Sequence, residues 1–228
     1  MIKKHPDLRE PKDETVIWKY LSLAKFLFLL KKEELHFHRI DCFPDKNEGL
    51  LTTIDKKIFY FDEANIASKE YWERERKRYY ISCWIESPHE LNLMWDRYSN
   101  EGIAIKTTVA NLKESLERDV KNVERISKVK YVDYEKESSQ DYGTPKQIYK
   151  IMLTKRKYFE QEKEIRLIMF KEIEGDSKIA GVNVPIYIEP LLQEIWISPK
   201  ADAFIAELIK QEMSFKNLNP SIVQMSHI

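Results

Sequence analysis

TKRKYFEQEKEIRLIMFK, residues 154–171, is the stretch that decides the fold. From position 162 onward charged and apolar residues alternate, so that Glu162, Glu164 and Arg166 share one face of a strand and apolar residues share the other. Beyond Arg166 both faces are apolar, which predicts a central strand whose charged residues lie at one end. Apolar spacing over residues 145–159 predicts a helix that leads into this strand.

Strand and helix patterns are mixed along the rest of the chain, without an internal repeat. Runs rich in β-branched and aromatic residues, or alternating with a period of two, predict strands at 35–40, 79–85, 103–107, 126–134, 185–189, 194–198 and 222–225. Apolar residues three or four positions apart predict helices at 15–34, 62–78, 90–98, 109–120 and 202–213. We expect the turn-rich loop 135–144 to be a mobile segment over a cleft.

These elements predict an α+β fold. We expect a single mixed domain, residues 15–228, with a central, largely antiparallel sheet flanked by helices. Residues 1–14 are polar and contain two prolines, which predicts an irregular amino-terminal lead-in.

Charge and cysteine content point to a cytoplasmic protein. Lys and Arg total 38 and Asp and Glu total 38, so the chain has no overall charge that would attract nucleic acid or an anionic membrane. No apolar run has the length of a membrane span, so we expect no membrane partner. Cys42 and Cys83 fit neither a disulfide framework nor a C-x-x-C motif, as expected in a reducing compartment.

Glu162 and Glu164 are the principal candidates for chemistry. Two neighbouring carboxylates can act as acid and base, hold a substrate hydroxyl, or bind a divalent metal with a further acid. The same pair can instead be a solvent-facing partner of Arg166 and nearby lysines, since E-x-E is common on charged strands and helices. Their position at the start of a strand, where open sheets often place ligands, adds weight to the chemical interpretation.

Polar and aromatic residues of other segments form a second group of candidates. Ser82, Trp95 and Tyr98 can line a pocket, with rings that suit stacking on a nicotinamide or adenine ring, although core packing explains Trp95 equally well. His36 and His38 share one face of a short strand, as two zinc ligands can, but no third ligand has a characteristic spacing, so we expect no metal. The sequence contains no motif of Rossmann, P-loop, zincin or α/β-hydrolase proteins.

Several blocks of the chain resemble one bacterial family. ISCWIESPHELNLMWDRYSNEGIAI, residues 81–105, is similar to the family's strand, its n-x-L-M-W-x-x-Y helix start and its following G-x-x-I strand. LTKRKYFEQEKEIRL, residues 153–167, is similar to its K-x-x-x-W-x-x-E-x-E-x-R segment. Looser matches occur at residues 17–22, 35–49 and 192–200. The chain thus resembles the domain-of-unknown-function family numbered 2971, which brings no assigned activity.

The order of these blocks is also similar to that of ADP-ribosyltransferase-like enzymes. There an early strand supplies an Arg or His, a middle strand a Ser or Thr, and a late E-x-E or Q-x-E the catalytic glutamate. Here Lys19 or His36, then Ser82, then Glu164 occur in the same order. The resemblance implies that Glu164 is the principal catalytic residue, that Glu162 helps it, and that NAD is the substrate. Contacts with substrate or cofactor would come from Ser82, Tyr98, Trp95, Arg166, and Lys19 or His36.

Three functions therefore stand as hypotheses. The first is a bacterial or mobile-element effector, of the phage-defence or toxin kind, that uses NAD on a nucleotide or macromolecular target as an ADP-ribosyltransferase-like enzyme. The second is a non-enzymatic module that binds a partner protein or forms a homo-oligomer through its aromatic strands and the charged helix at 69–78. The third is a metal-dependent nuclease, in which Glu162, Glu164 and another acid such as Asp96 hold Mg²⁺.

Overall fold

The computed structural model describes residues 2, 5–60, 69–98, 101–119, 123–141, 148–172 and 179–228, with backbone only for residues 58–60, 69, 98 and 119. The strands within these ranges are β1 (Val16–Ser22), β2 (Glu34–Arg39), β3 (Tyr79–Glu86), β4 (Gly102–Thr108), β5 (Val123–Lys128), β6 (Lys130–Val132), β7 (Thr154–Arg156), β8 (Glu164–Phe170), β9 (Gly181–Pro185), β10 (Glu194–Ile197) and β11 (Val223–Met225). The α-helices are α1 (Leu23–Lys32), α2 (Thr53–Tyr60), α3 (Lys69–Arg76), α4 (Asn92–Tyr98), α5 (Val109–Ser115), α6 (Ile148–Met152), α7 (Ile188–Leu191) and α8 (Ala203–Phe215). Four 3₁₀ turns cover Ile40–Cys42, Leu116–Asp119, Lys157–Glu162 and Pro220–Ile222.

β3 is the centre of a nine-stranded sheet with the order β11-β10-β4-β1-β3-β2-β9. Along one edge β3 pairs with β8 over its length, from Tyr79 opposite Phe170 to Ile85 opposite Glu164, and β8 pairs on its far side with β5. The other edge of β3 is shared, since β1 pairs near Ile85 and β2 pairs near Ile81. The two strands diverge between these points, and residues 82–84 have no described strand partner on that edge.

The pairings confirm the predicted α+β fold with a largely antiparallel sheet and flanking helices. In the part of the chain that the structure describes, the parallel pairs are β10 with β11 and the separate two-stranded sheet of β6 and β7. None of the helices described combines the length and the apolar character that crossing a bilayer requires.

The core lies on both faces of the sheet, as the alternation in β8 predicts. Ile165, Leu167 and Met169 pack into the larger hydrophobic cluster, together with residues of α1, α5 and α8. Ile168 faces the other way and packs with residues of α3 and α6. Because β8 has strands on both edges and buried residues on both faces, its charged residues at positions 164 and 166 lie inside the protein.

Three predicted elements are wrong in part. Residues 16–22 of the predicted helix 15–34 form β1, because VIWKYLS is rich in β-branched and aromatic residues and pairs along its whole length with β4. The predicted helix 145–159 ends at Met152, and residues 154–156 pair with β6 instead. The predicted strand 185–189 is β9 and then α7, because Pro185 has no N–H group to extend the ladder.

Two further predictions fall partly on residues that the structure does not describe. The predicted helix 62–78 is helical over Lys69–Arg76, while its first residues lie outside the described part. Residues 142–147, which include the end of the predicted mobile loop and the start of the predicted helix at 145, also lie outside it.

Candidate functional site

Five charged side chains meet where β8 begins, and we call them the carboxylate cluster: Glu48, Lys155, Glu162, Glu164 and Arg166. The Lys155 ammonium donates to Glu162 Oε2 at 2.6 Å and to Glu164 Oε1 at 2.7 Å. Arg166 Nε donates to Glu164 Oε2 at 2.7 Å, and its Nη2 donates to Glu48 Oε2 at 2.9 Å. The cluster therefore joins a loop, β7, a 3₁₀ turn and β8 in one ion-pair network.

Every member of the carboxylate cluster is buried, so the solvent-facing interpretation of Glu162 and Glu164 is wrong. Arg166 has 0% and Glu162 has 3% of its surface exposed. Burying a charge is costly unless oppositely charged and hydrogen-bonding partners compensate it. Three carboxylates face only two cations inside the cluster, so the buried charges do not balance by themselves.

Arg97 of α4 supplies the missing positive charge from the protein surface. Its Nη1 donates to Glu162 Oε1 at 2.6 Å, while 47% of its side chain is exposed. Glu162 is thus the member of the cluster that connects the buried network with a solvent-reaching cation.

The backbone at Lys163 places the two glutamates side by side. Glu162 ends a 3₁₀ turn rather than lying in the strand, and Lys163 then adopts the left-handed conformation, with φ 42° and ψ 50°. A non-glycine residue in this region costs roughly 1 kcal/mol or more, so the surrounding contacts must hold it there. The Glu164 N–H, in turn, donates to Tyr131 Oη at 2.7 Å.

The surroundings drive the pKa values of the two glutamates apart. Burial raises the pKa of Glu162, and the neighbouring Glu164 carboxylate raises it further. Burial alone would also raise the pKa of Glu164, but attraction by Arg166 and Lys155 holds it well below its usual range. A carboxyl group with a raised pKa beside one with a lowered pKa is an arrangement used in acid–base catalysis.

A pocket of about 240 Å³ opens beside Glu164. It is also lined by Glu86, Lys128, Val129, Tyr131, Glu160 and Lys163. Its volume lies below the roughly 300–1,000 Å³ of pockets that enclose drug-sized ligands. The pocket is therefore of a size for one ring of a ligand rather than for a whole dinucleotide.

Lys19 and Ser82 come together, but on the opposite face of the sheet. The Lys19 ammonium donates to Ser82 Oγ and to the Cys83 carbonyl oxygen, both at 3.0 Å, and so occupies the gap where β1 and β2 diverge along β3. Burial lowers the pKa of Lys19 to about 8. Because Cys83 lies opposite Arg166 in the ladder, Ser82 faces away from the carboxylate cluster.

The other candidates from the sequence are distributed differently. Trp95 is buried against Tyr20, and its Nε1 donates to Glu90 Oε2 at 2.9 Å, so core packing accounts for it. Tyr98 ends α4, and its side chain lies outside the described residues. His36 is exposed, and its Nδ1 lies 2.8 Å from Asn183 Oδ1. Partial desolvation of its ring lowers its pKa.

The described residues contain no group of three or more His, Cys, Asp or Glu side chains placed to hold a metal ion. Lys155 and Arg166 contact the three clustered carboxylates instead. Asp96 is half-exposed and pairs with Lys200 at 2.5 Å.

Sequence reasoning missed three residues of this site: Glu48, Lys155 and Arg97. Apolar spacing predicts helices at both Lys155 and Arg97, and the two residues lie in the blocks 153–167 and 81–105 that resemble the family. Glu48 stands in the DKNEG loop, which resembles part of a loop of the family. The family resemblance is therefore the signal that covers all three residues.

The comparisons with known proteins bear on the same segment. The model of a family described as "Protein of unknown function (DUF2971)" matches residues 94–167, from α4 to the middle of β8. This segment carries Arg97, Lys155, Glu162, Glu164 and Arg166. The search of curated proteins and the search of solved structures found no significant match. The match over residues 94–167 agrees with the resemblance of the central and late blocks to this family.

Proposed function

We propose that the chain is an ADP-ribosyltransferase-like enzyme that uses NAD, with Glu162 and Glu164 as its catalytic carboxylates, and that it acts as a bacterial or mobile-element effector. The observation that carries this proposal is the buried glutamate pair, whose pKa values are driven in opposite directions. The strands β1, β3 and β8, which carry Lys19, Ser82 and Glu164, are neighbours in the sheet, but Lys19 and Ser82 lie on the opposite face from Glu164 and do not contribute to this support.

The two carboxylates would have different roles. Glu164 stays ionised and lines the small pocket, so it stabilises the positive charge that develops on the ribose as nicotinamide leaves. Glu162, with its raised pKa, exchanges a proton with the acceptor nearer to neutral pH than an ordinary carboxyl group does.

The phosphate side of NAD needs a cation that solvent can reach. Lys19 was the candidate from the sequence, but it lies on the other face of the sheet from Glu164. Arg97 is half-exposed and contacts Glu162 directly. In this proposal Arg97 therefore contacts the pyrophosphate, with a guanidinium that suits phosphate oxygens.

The test is nicotinamide release from NAD by the purified chain, alone and with cell extract or nucleic acid as acceptor. We expect Glu162→Gln, which removes the ionisable carboxyl group but can still accept a hydrogen bond from Arg97 or from Lys155, to lower release about 100-fold or more. Glu207→Gln is the matched control, because Glu207 is an exposed glutamate of α8 that does not belong to the carboxylate cluster. Equal rates for the wild type and Glu162→Gln, or no release by the wild type under any of these conditions, would refute the proposal.

The second candidate is a non-enzymatic module that assembles with itself or with a partner protein. The observation that favours it is the exposure of two large apolar side chains, Phe204 and Phe215, on α8. Light scattering of the wild type and of a Phe204→Ser/Phe215→Ser variant tests it. A monomeric wild type would exclude self-assembly, and an oligomer that persists in the variant would exclude this surface.

A further inference from the structure

A larger pocket, of about 470 Å³, lies between α2, the loop before it, and the start of the 3₁₀ turn at 157–162. Its volume falls within the range of small-molecule sites. The groups that can recognise a ligand there are Lys56, Asp133, Glu135, Arg156, Lys157 and Tyr158. None of them belongs to the carboxylate cluster.

Tyr158 and Arg156 lie next to each other at this pocket. Tyr158 is 84% exposed, so its ring is accessible to a ligand. The Arg156 guanidinium carbon lies 5.7 Å from the centre of the Tyr158 ring and 5.6 Å from that of Phe159. Asp45 holds Arg156 in place through a 2.9 Å bond to Nε. An exposed ring next to a fixed guanidinium is a surface on which a nucleobase stacks.

Two lysines supply positive charge on the same pocket. Lys56 and Lys157 are exposed, and neither has a carboxylate within 4.0 Å among the residues that the structure describes. Exposed lysine ammonium groups without a nearby carboxylate can donate hydrogen bonds to phosphate oxygens.

The two carboxylates of the pocket already have partners. Asp133 accepts from the Glu135 N–H at 3.0 Å and lies 3.7 Å from the Lys136 ammonium. Glu135 accepts from Thr53 Oγ1 at 2.9 Å. Their remaining lone pairs can accept from the hydroxyl groups of a ribose, as carboxylates commonly do.

We propose that this pocket binds a nucleoside monophosphate. The base stacks on Tyr158, the phosphate contacts Lys56 and Lys157, and the ribose hydroxyls donate to Asp133 and Glu135. The volume holds one nucleotide rather than a strand, and the zero net charge of the chain gives no general attraction to polyanions. This inference goes beyond the proposed NAD chemistry, because it requires neither Glu162 nor Glu164.

The test is calorimetric titration of the full chain with AMP, adenosine and inorganic phosphate as separate probes. We expect AMP to bind more tightly than either part, and Tyr158→Ala to weaken AMP about tenfold without changing phosphate binding. Lys56→Ala should weaken AMP and phosphate alike. Lys57→Ala is the matched control, since it lies next to Lys56 on α2 but does not line the pocket.

Several outcomes would overturn the inference. No binding of AMP would do so, as would equal affinity for AMP and phosphate, which marks a plain anion site. An equal effect of Lys56→Ala and Lys57→Ala would show that general charge, and not this pocket, attracts the ligand. Glu162→Gln must keep the wild-type affinity for AMP, and this separates failure here from failure of the proposed enzyme.

Discussion

Replacing Arg166 by methionine should lower the free energy of unfolding by about 3–5 kcal/mol, because it leaves two buried carboxylates without their main cation. The Arg166 guanidinium is fully buried and donates hydrogen bonds from all three of its nitrogen atoms. Nε contacts Glu164 at 2.7 Å, Nη2 contacts Glu48 at 2.9 Å, and Nη1 contacts the Met152 carbonyl oxygen at 2.8 Å. Methionine fills much of the same volume and meets none of these acceptors.

The magnitude follows from two opposing effects. Each ion pair is worth roughly 4 kcal/mol at 4 Å with an effective dielectric constant near 20. Removing the guanidinium also removes its own cost of burial, so the net loss is smaller than the sum of two such pairs. Arg166→Lys keeps the charge but cannot reach three acceptors at once, and we expect it to cost less than Arg166→Met.

Urea-induced unfolding at pH 7, followed by circular dichroism, measures the change. Arg118→Met is the matched control, since Arg118 also contacts a carboxylate, that of Glu33 at 3.1 Å, and the Ile186 carbonyl oxygen at 3.0 Å. Its side chain is 42% exposed, so its loss should cost at most about 1 kcal/mol. Equal losses for Arg166→Met and Arg118→Met would refute the argument. If Arg166→Met does not fold, Arg166→Lys against Arg118→Lys gives the same comparison.

Three other perturbations follow from the structure. Glu164→Gln should destabilise the fold more than Glu162→Gln at pH 7. Glu164 has a lowered pKa in the folded state, so it stabilises the fold above its unfolded-state pKa and this stabilisation is lost as the pH falls toward the folded-state pKa. Glu162 has a raised pKa in the folded state, so its contribution to stability is present below its unfolded-state pKa and is lost as the pH rises through the folded-state pKa. The gap between the two variants in urea unfolding should therefore narrow below about pH 4.5, and a constant gap would contradict the pKa directions. The Lys19 amine should react with an acylating reagent along a pH curve centred near 8, because burial lowers its pKa; peptide mass spectrometry that finds a curve centred near the ordinary lysine value of 10.5 would show that Lys19 is not desolvated. Gly181→Ala should cost about 1–3 kcal/mol in the same unfolding assay, because the added carbon would lie 2.7 Å from a backbone carbonyl oxygen of β2, and a loss below 0.5 kcal/mol would show that the strands separate easily.

The periodicity of the sequence predicts the strand β8 and its place in the fold. The alternation of charged and apolar residues after position 162 predicts β8, its central place in the sheet, and the end of the strand at which Glu164 and Arg166 lie. It does not predict that these charges are buried, since an alternating polar face more often meets solvent. The decisive partner of Arg166 is Glu48, which is 118 positions away along the chain. Local pattern contains no information on such a contact.

Lys155 shows why the segment before β8 was misassigned. Apolar spacing continues from α6 through position 159, so a helix is the natural prediction. In the fold, residues 154–156 instead pair in parallel with β6. This extended backbone directs the Lys155 ammonium to both Glu162 and Glu164. A tertiary pairing that also satisfies two buried carboxylates therefore outweighs helix propensity over three residues.

Burying the carboxylate cluster carries a large desolvation cost, which apolar side chains in the same space would not carry. Buried ion networks can often be replaced by apolar side chains of similar volume at no loss of stability. Here the network also holds Lys163 in the left-handed conformation next to the glutamates. Among the described residues, it is the half-exposed Arg97 that balances the carboxylate in excess. A purely structural network gains nothing from a balancing charge at the surface, where solvent and ligands compete for it. In the proposed enzyme Glu162 and Arg97 are the pair through which a ligand would contact the buried charges, and this is the reason to test for chemistry at this end of β8.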